Sequence, residues 1–252
     1  MPANEKTAVY DKIARQYKAS KKLAFRETIE WYSYNKLLGD VSQKSVLDLA
    51  CGEGFYSRRI KRKGAQTVVG VDISEKMIAL AEQQEKKHPL GVDYRVCDVM
   101  ELEKIGSIDL VVASYLLNYA QTKEQLLEMC RTISANLKSG GRFVSINNNP
   151  DQPPETFPRC KKYGFTKSIS GPLIEGVAIT YEFFRGGQKF RIDNYYLSPE
   201  IHEWAFKRVC FKTIQWHKIE AAPDGIKKFG REFWQDFLDC QPIIGIECLK
   251  KN

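Results

Sequence analysis

Val46-Leu47-Asp48-Leu49-Ala50-Cys51-Gly52-Glu53-Gly54 is the stretch on which the fold turns. Its first four residues read as a short buried strand, the next five as a turn of small residues, and Phe55 to Lys63 as a helix. A glycine turn between strand and helix lets the backbone approach a ligand closely. In open parallel sheets that turn lies at the carboxyl edge of the strands, where ligands bind. Working outward, Thr67 to Val71 reads as a second strand, ending at Asp72, 20 residues after Gly52. An acidic side chain at that place accepts hydrogen bonds from ribose hydroxyls.

The rhythm continues. Ser74 caps a helix from Glu75 to Lys86, with Met77, Ile78 and Ala81 at helical spacing. Val92 to Val96 and Ile108 to Ala113 are two more strands. A helix from Lys123 to Leu137 carries Leu126, Leu127, Cys130, Ile133 and Leu137 on one face. Gly140-Gly141 is expected to end it, and Arg142 to Ile146 to form the next strand. Strands alternating with helices predict an α/β, doubly wound, mostly parallel sheet covered on both faces.

The flanks differ. Asn4 to Tyr17 and Phe25 to Leu38 read as tyrosine-rich helices, and Asn147 to Pro154 as a loop. Ala178 to Phe184 and Lys189 to Tyr195 read as strands meeting at Gly186-Gly187, a hairpin signal within a segment, Cys160 to Tyr196, that departs from the βα rhythm. Helix and strand patterns return at Glu200 to Val209, Thr213 to Ile219 and Ile243 to Leu249. The expectation is one domain over 1–252: a helical lid (1–40), a cofactor-binding core (41–147), an inserted antiparallel cap (148–198) and a C-terminal part completing the sheet (199–252).

Composition sets bounds. With 252 residues, 43% hydrophobic and 28% charged, the chain can bury a sizeable core and is not of disordered type. No apolar run reaches the ~18 residues of a spanning helix, and the first residues are polar. A cytoplasmic protein with no membrane partner is expected. The seven cysteines are odd in number and widely spaced, without a Cys-x-x-Cys pair, and the three histidines lack ligand spacing, so no metal is expected. The net charge of +8 comes from scattered groups such as Lys61-Arg62-Lys63 and Lys86-Lys87. These read as solvated faces, and a nucleic-acid partner is not favoured.

Two ligand classes use this glycine turn. A dinucleotide needs its pyrophosphate at the helix N-terminus and small residues for close packing. Here Phe55 stands where a small residue is wanted, and Glu53 would place negative charge beside the phosphates. A nucleoside with positive sulfonium and ammonium groups, S-adenosylmethionine, suits Asp48 and Glu53 better. Asp98 after the third strand can meet an adenine amino group, and Ser114-Tyr115 follows the fourth strand at the same edge.

These residues resemble the class I methyltransferase superfamily over Tyr10 to Ile146, with Ala50 in place of the commoner first glycine of its motif. The resemblance implies a seven-stranded, Rossmann-like methyltransferase fold. It implies Asp48, Ala50 and Gly52 along the methionine part, Asp72 on the ribose, Ile73 and Met77 flanking adenine, and Asp98 with Val99 at its edge. Ser114 and Tyr119 would lie under the methionine portion. The opening segment Tyr10 to Tyr17 is similar to the first helix of small-molecule members, with Tyr17 reaching the cofactor. Asp193 to Glu200 and Phe229 to Trp234 look like the toxoflavin-type N-methyltransferases, which methylate ring nitrogens.

Methyl transfer by positioning and exclusion of water needs no general base when the acceptor is a ring nitrogen. No catalytic base is identified: His217 falls in a strand and His202 on a helix, and both read as structural or surface residues. Asn147-Asn148-Asn149 offers hydrogen bonds to a heterocycle or serves turns. Trp31, Tyr115 and Tyr196, with Asn147, are the candidate substrate contacts, and Trp234 is expected to pack the last helix. The leading expectation is N- or O-methylation of a small planar heterocycle by a monomer or homodimer. The alternatives are an RNA or protein methyltransferase using the basic surface, and a nucleoside-binding protein without catalysis.

Overall fold

The computed structural model describes Ile13, Ala14 and residues 16–252. The expected first helix, Asn4 to Tyr17, lies largely outside the described residues; within them, helix covers 16–20. Arg26–Trp31 is wound as a π-helix and runs directly into an α-helix, Tyr32–Leu38.

The core begins at β1 (Ser45–Leu49), followed by a helix, Phe55–Arg62, then β2 (Thr67–Asp72) and a helix, Glu75–Lys87. Ser74 Oγ accepts from the Met77 N–H and so caps the second helix as its sequence foretold. Next come β3 (Val92–Val96), β4 (Ile108–Ser114), a helix, Lys123–Asn136, and β5 (Leu137–Asn148). After the cap, a helix Pro199–Arg208, β9 (Phe211–His217), helices Pro223–Phe229 and Arg231–Cys240, and β10 (Ile243–Lys250) complete the chain. The sheet order is β3-β2-β1-β4-β5-β10-β9, with β10 antiparallel to both neighbours and the other described pairs parallel. The strand pattern predicts the mostly parallel α/β sheet, and the order is that of the seven-stranded Rossmann-like methyltransferase fold the resemblance implies.

Alternation along the strands divides the core in two. Val46, Leu110 and Val112 face one layer, with Tyr34, Leu38, Trp234 and Phe237. Leu47, Leu49, Val111 and Ala113 face the other, with Leu126, Cys130, Ile133 and Phe206. Trp234 is fully buried and donates from its indole nitrogen to the Gly225 carbonyl, 3.2 Å away.

Three boundaries depart from the sequence reading. The helix from Lys123 ends at Asn136. Leu137 already pairs with Ile108, so Gly140-Gly141 lies inside β5 rather than stopping the helix. Lys250 Nζ makes this early exit possible by donating to the carbonyls of Ser134 (2.5 Å) and Leu137 (2.7 Å). At the other end of β5, Asn147 and Asn148 are strand residues, paired with Ile244 and Ile243, not loop. The cap holds more than the expected hairpin: a 3-10 segment, Pro154–Tyr163, and β6 (Phe165–Ile169) join β7 (Ala178–Arg185) and β8 (Gln188–Tyr195) in a separate antiparallel sheet, β6-β7-β8. The hairpin turn is as expected, with Gly186 and Gly187 at φ +56° and +77°, the two positive values of a type I′ turn. Among the described residues no helix is long and apolar enough to cross a membrane.

Candidate active site

The carboxyl edge of β1, β2 and β4 opens on a cavity. Its floor is the turn after β1. There Cys51 N–H donates to the Val71 carbonyl (3.0 Å), which sets the turn against β2. Asp72 then fixes two loops at once: Oδ2 accepts from Gly52 N–H (2.8 Å) and Oδ1 from Ser74 N–H (2.9 Å). A Cβ built on Gly52 meets nothing within 4 Å, so the space before this backbone is open to a ligand. Asp98 Oδ1 likewise accepts from Met100 N–H at 2.9 Å and shapes the loop after β3.

Ten positions expected to hold a cofactor line this one cavity: Tyr17, Ala50, Gly52, Asp72, Ile73, Met77, Asp98, Val99, Ser114 and Tyr119. Asp48 does not. It projects from β1 into the layer beneath the Phe55–Arg62 helix, buried, accepting from Ser57 Oγ at 2.5 Å. Burial pushes its carboxyl up to about 7, against the hydrogen bond from Ser57 and the charge of Lys21. Met100, Leu116 and Met129 complete the wall unannounced; Met129 reads in sequence only as one more core position of its helix. The described lining residues include two carboxylates and no Lys, Arg or His.

Tyr17, Tyr115 and Tyr119 are shared with a second cavity, walled by Phe25 and Arg26 and by Phe165, Phe183 and other cap residues. Beneath it lies a buried ionic cluster. Arg26 pairs with Glu30, and the hydroxyls of Tyr56 and Tyr115 donate to the Glu30 carboxylate. Arg26 Nη1 also reaches Tyr115 Oη at 3.1 Å. Burial opposes the Glu30 charge, yet Arg26, Lys21 and the two tyrosines outweigh it and hold the carboxyl below its ordinary value. The cluster fixes Tyr115, whose backbone is left-handed at φ +64°.

Asn148, Tyr181 and Asn194 stand between the second cavity and a third and line both; the third includes Asn147 and Tyr196. Thus three of the four expected substrate contacts, Tyr115, Asn147 and Tyr196, lie along one series of cavities. Trp31 is not brought there. Its ring stacks on Tyr56 (centroids 5.9 Å) with the Arg59 guanidinium 4.7 Å from its centroid, on a separate open surface. All seven cysteines are free, and no cluster of metal-ligating side chains occurs among the described residues.

Comparison with known proteins agrees with this architecture. Residues 46–141 match the methyltransferase domain family. The chain is 33% identical over 108 residues to an N-demethylindolmycin N-methyltransferase of Streptomyces griseus, covering 42% of this chain and 45% of that protein. It is 34% identical over 116 residues to the ubiquinone biosynthesis O-methyltransferase of Bordetella pertussis, covering 44% and 46%. The chain therefore matches slightly under half the length of these curated relatives. Among solved structures, an S-adenosylmethionine-dependent methyltransferase from Mesorhizobium loti superposes with a TM-score of 0.65 at 22% identity, covering 92% of this chain and all of that one. A DhpI–SAM–HEP complex superposes at 0.64 and 16% identity, covering 97% and 96%. The family match is confined to residues 46–141, and the solved structures extend the likeness in fold to nearly the whole chain.

Proposed function

We propose that this protein is an S-adenosylmethionine-dependent methyltransferase acting on a small planar heterocycle at nitrogen or oxygen. The observation that carries the reading is the first cavity: open backbone at Gly52, carboxylates at the ends of two strands, apolar walls, and no cation among its described lining. That donor set suits a phosphate-free, positively charged nucleoside and is wrong for a pyrophosphate. S-adenosylmethionine, when bound, supplies an electrophilic methyl group on a sulfonium.

In this reading Asp72 takes the ribose hydroxyls, Ile73 and Met77 sandwich the adenine, and Asp98 with Val99 meets its edge. Ala50, Gly52, Ser114, Tyr119 and Tyr17 line the methionine end. Asp48 supports the turn from behind, through its hydrogen bond with Ser57, rather than by contact with the ligand. The second cavity, adjoining the methionine end, takes the acceptor ring against Tyr115, Phe25, Phe165 and Phe183. The described part of the 1–40 lid and the cap at 148–198 cover it. Catalysis rests on alignment and on exclusion of water. The relatives' names, one N- and several O-methyltransferases, support an N or O acceptor.

Calorimetric titration with S-adenosylhomocysteine tests the cofactor reading. Micromolar-range binding is expected for the intact protein and loss of at least tenfold in Asp72→Ala. No binding to folded protein would reject it. Acceptors are then screened by release of S-adenosylhomocysteine.

A further inference from the structure

The third cavity contains polar side chains for which the fold itself has no use. Asn118, at the turn after β4, is buried with both its Oδ1 and its Nδ2 lacking a hydrogen-bond partner among the described residues. Asn147 Oδ1 on β5, Tyr181 Oη on β7 and His202 Nε2 on the Pro199–Arg208 helix are in the same condition. All four residues line this one cavity, and each is 4% exposed or less. An orphaned buried polar group forfeits its hydration without return, so five such atoms on residues lining one space are not retained for stability.

The pattern of the orphans defines what would satisfy them. His202 Nδ1 lies 2.9 Å from the Ser198 carbonyl, an acceptor only, which makes Nδ1 the protonated nitrogen and leaves Nε2 a lone pair. Burial lowers the His202 pKa, which keeps the ring neutral. With the two asparagine oxygens, three atoms accept; Asn118 Nδ2 donates, and the Tyr181 hydroxyl does either. Lys167 also borders the space, but its Nζ is committed to Gln152 Oε1 (2.5 Å) and the Pro242 carbonyl (2.9 Å). An anionic group would face three lone pairs, and an apolar group would leave every orphan unpaired.

We infer that the third cavity, lined by Asn118, Asn147, Tyr181 and His202, is a recognition site for the far end of the methyl acceptor, and that it selects an uncharged group carrying two or more N–H or O–H donors, of the cyclic urea or ureide type. This rests on the acceptor reading of the second cavity, which it adjoins across Asn148, Tyr181 and Asn194. The same side chains make the selection steep, because a ligand lacking the donors strands buried acceptors.

The test uses the protein saturated with S-adenosylhomocysteine and two probe pairs: benzimidazol-2-one and quinazoline-2,4-dione, each against its N,N′-dimethyl form. Ligand-observed NMR and calorimetry are expected to show each parent bound at least tenfold tighter than its dimethyl form. Asn118→Leu, which removes two orphans without creating a charge, is expected to lose that preference, to keep S-adenosylhomocysteine affinity, and to melt no lower than the unaltered protein. Parent and dimethyl forms binding alike, or neither parent binding, would overturn the inference. So would a fall in melting temperature of Asn118→Leu with the preference intact. Failure of S-adenosylhomocysteine to bind would instead reject the cofactor reading, and the probe pairs, titrated without it, would still judge the cavity.

Discussion

Ala50 holds a backbone conformation that its own side chain resists. Its φ is +55°, in the left-handed region where a Cβ costs roughly 1–2 kcal/mol and glycine is unstrained. Ala50→Gly should therefore stabilise the protein by about 0.5–1 kcal/mol, read as a rise in the urea midpoint. An unchanged or lower midpoint would mean that the methyl group packs well enough to offset the strain. Asp48 gives a pH signature. Its native pKa of about 7 stands above the ordinary 3.8, so between these values the native state keeps a proton that the unfolded chain has released. Stability from this residue is thus greatest in acid and falls as pH rises through that window, by an amount on the order of a few kcal/mol. Asp48→Asn should flatten that part of the urea midpoint-versus-pH curve; an unchanged slope would place its origin elsewhere.

At the scale of elements, the turn after β1 is held as much by what stands across from it as by its own glycines. A Cβ on Gly54, at φ +77°, would lie 2.2 Å from the Tyr94 hydroxyl oxygen and 2.7 Å from the ring carbon bearing it. Gly54→Ala is expected to cost about 2–3 kcal/mol by chemical denaturation, combining backbone strain and overpacking. Adding Tyr94→Phe should restore only part, since the ring carbon still clashes; full recovery would mean that only the hydroxyl mattered. The motif thus announces the turn but not the tyrosine that demands glycine there. The Ser74 cap was legible because its partner is three residues away. Lys250, which secures the end of the Lys123–Asn136 helix, sits more than a hundred residues along the chain, and no local pattern reveals it. Lys250→Met should lower stability by about 1 kcal/mol.

On the scale of the whole molecule, the cap and the sheet are coupled through buried polar contacts rather than by apolar packing alone. Lys167 reaches from β6 to Gln152 and to the Pro242 carbonyl beside β10, and Asn148 Nδ2 on β5 donates to Asn194 Oδ1 on β8 at 2.9 Å. Burial lowers the Lys167 pKa to about 7 from 10.5. Between these values the unfolded chain holds a proton that the native state has shed, so stability rises as pH increases from about 7 toward 10. Measured urea midpoints from pH 7 to 9.5 should rise, and Lys167→Met should remove the rise. A flat curve in the unaltered protein would show that Lys167 stays charged.

The sequence by itself determined the sheet and its helices, and its resemblance to a known family named ten of the fourteen positions around the first cavity. The sheet and helices depend on short-range regularities: alternation along strands, helical spacing, and a cap three residues from its partner. Tertiary structure alone decided the rest. It turned Asp48 inward, because alternation along β1 sends that side chain under the Phe55–Arg62 helix, and it took Trp31 to another surface. It also gathered Asn118, Asn147, Tyr181 and His202, residues from four separate elements, around one space. Their types are common and their spacing carries no period, so only the packing of cap against sheet, which leaves a buried polar atom of each without a partner among the described residues, makes them a group.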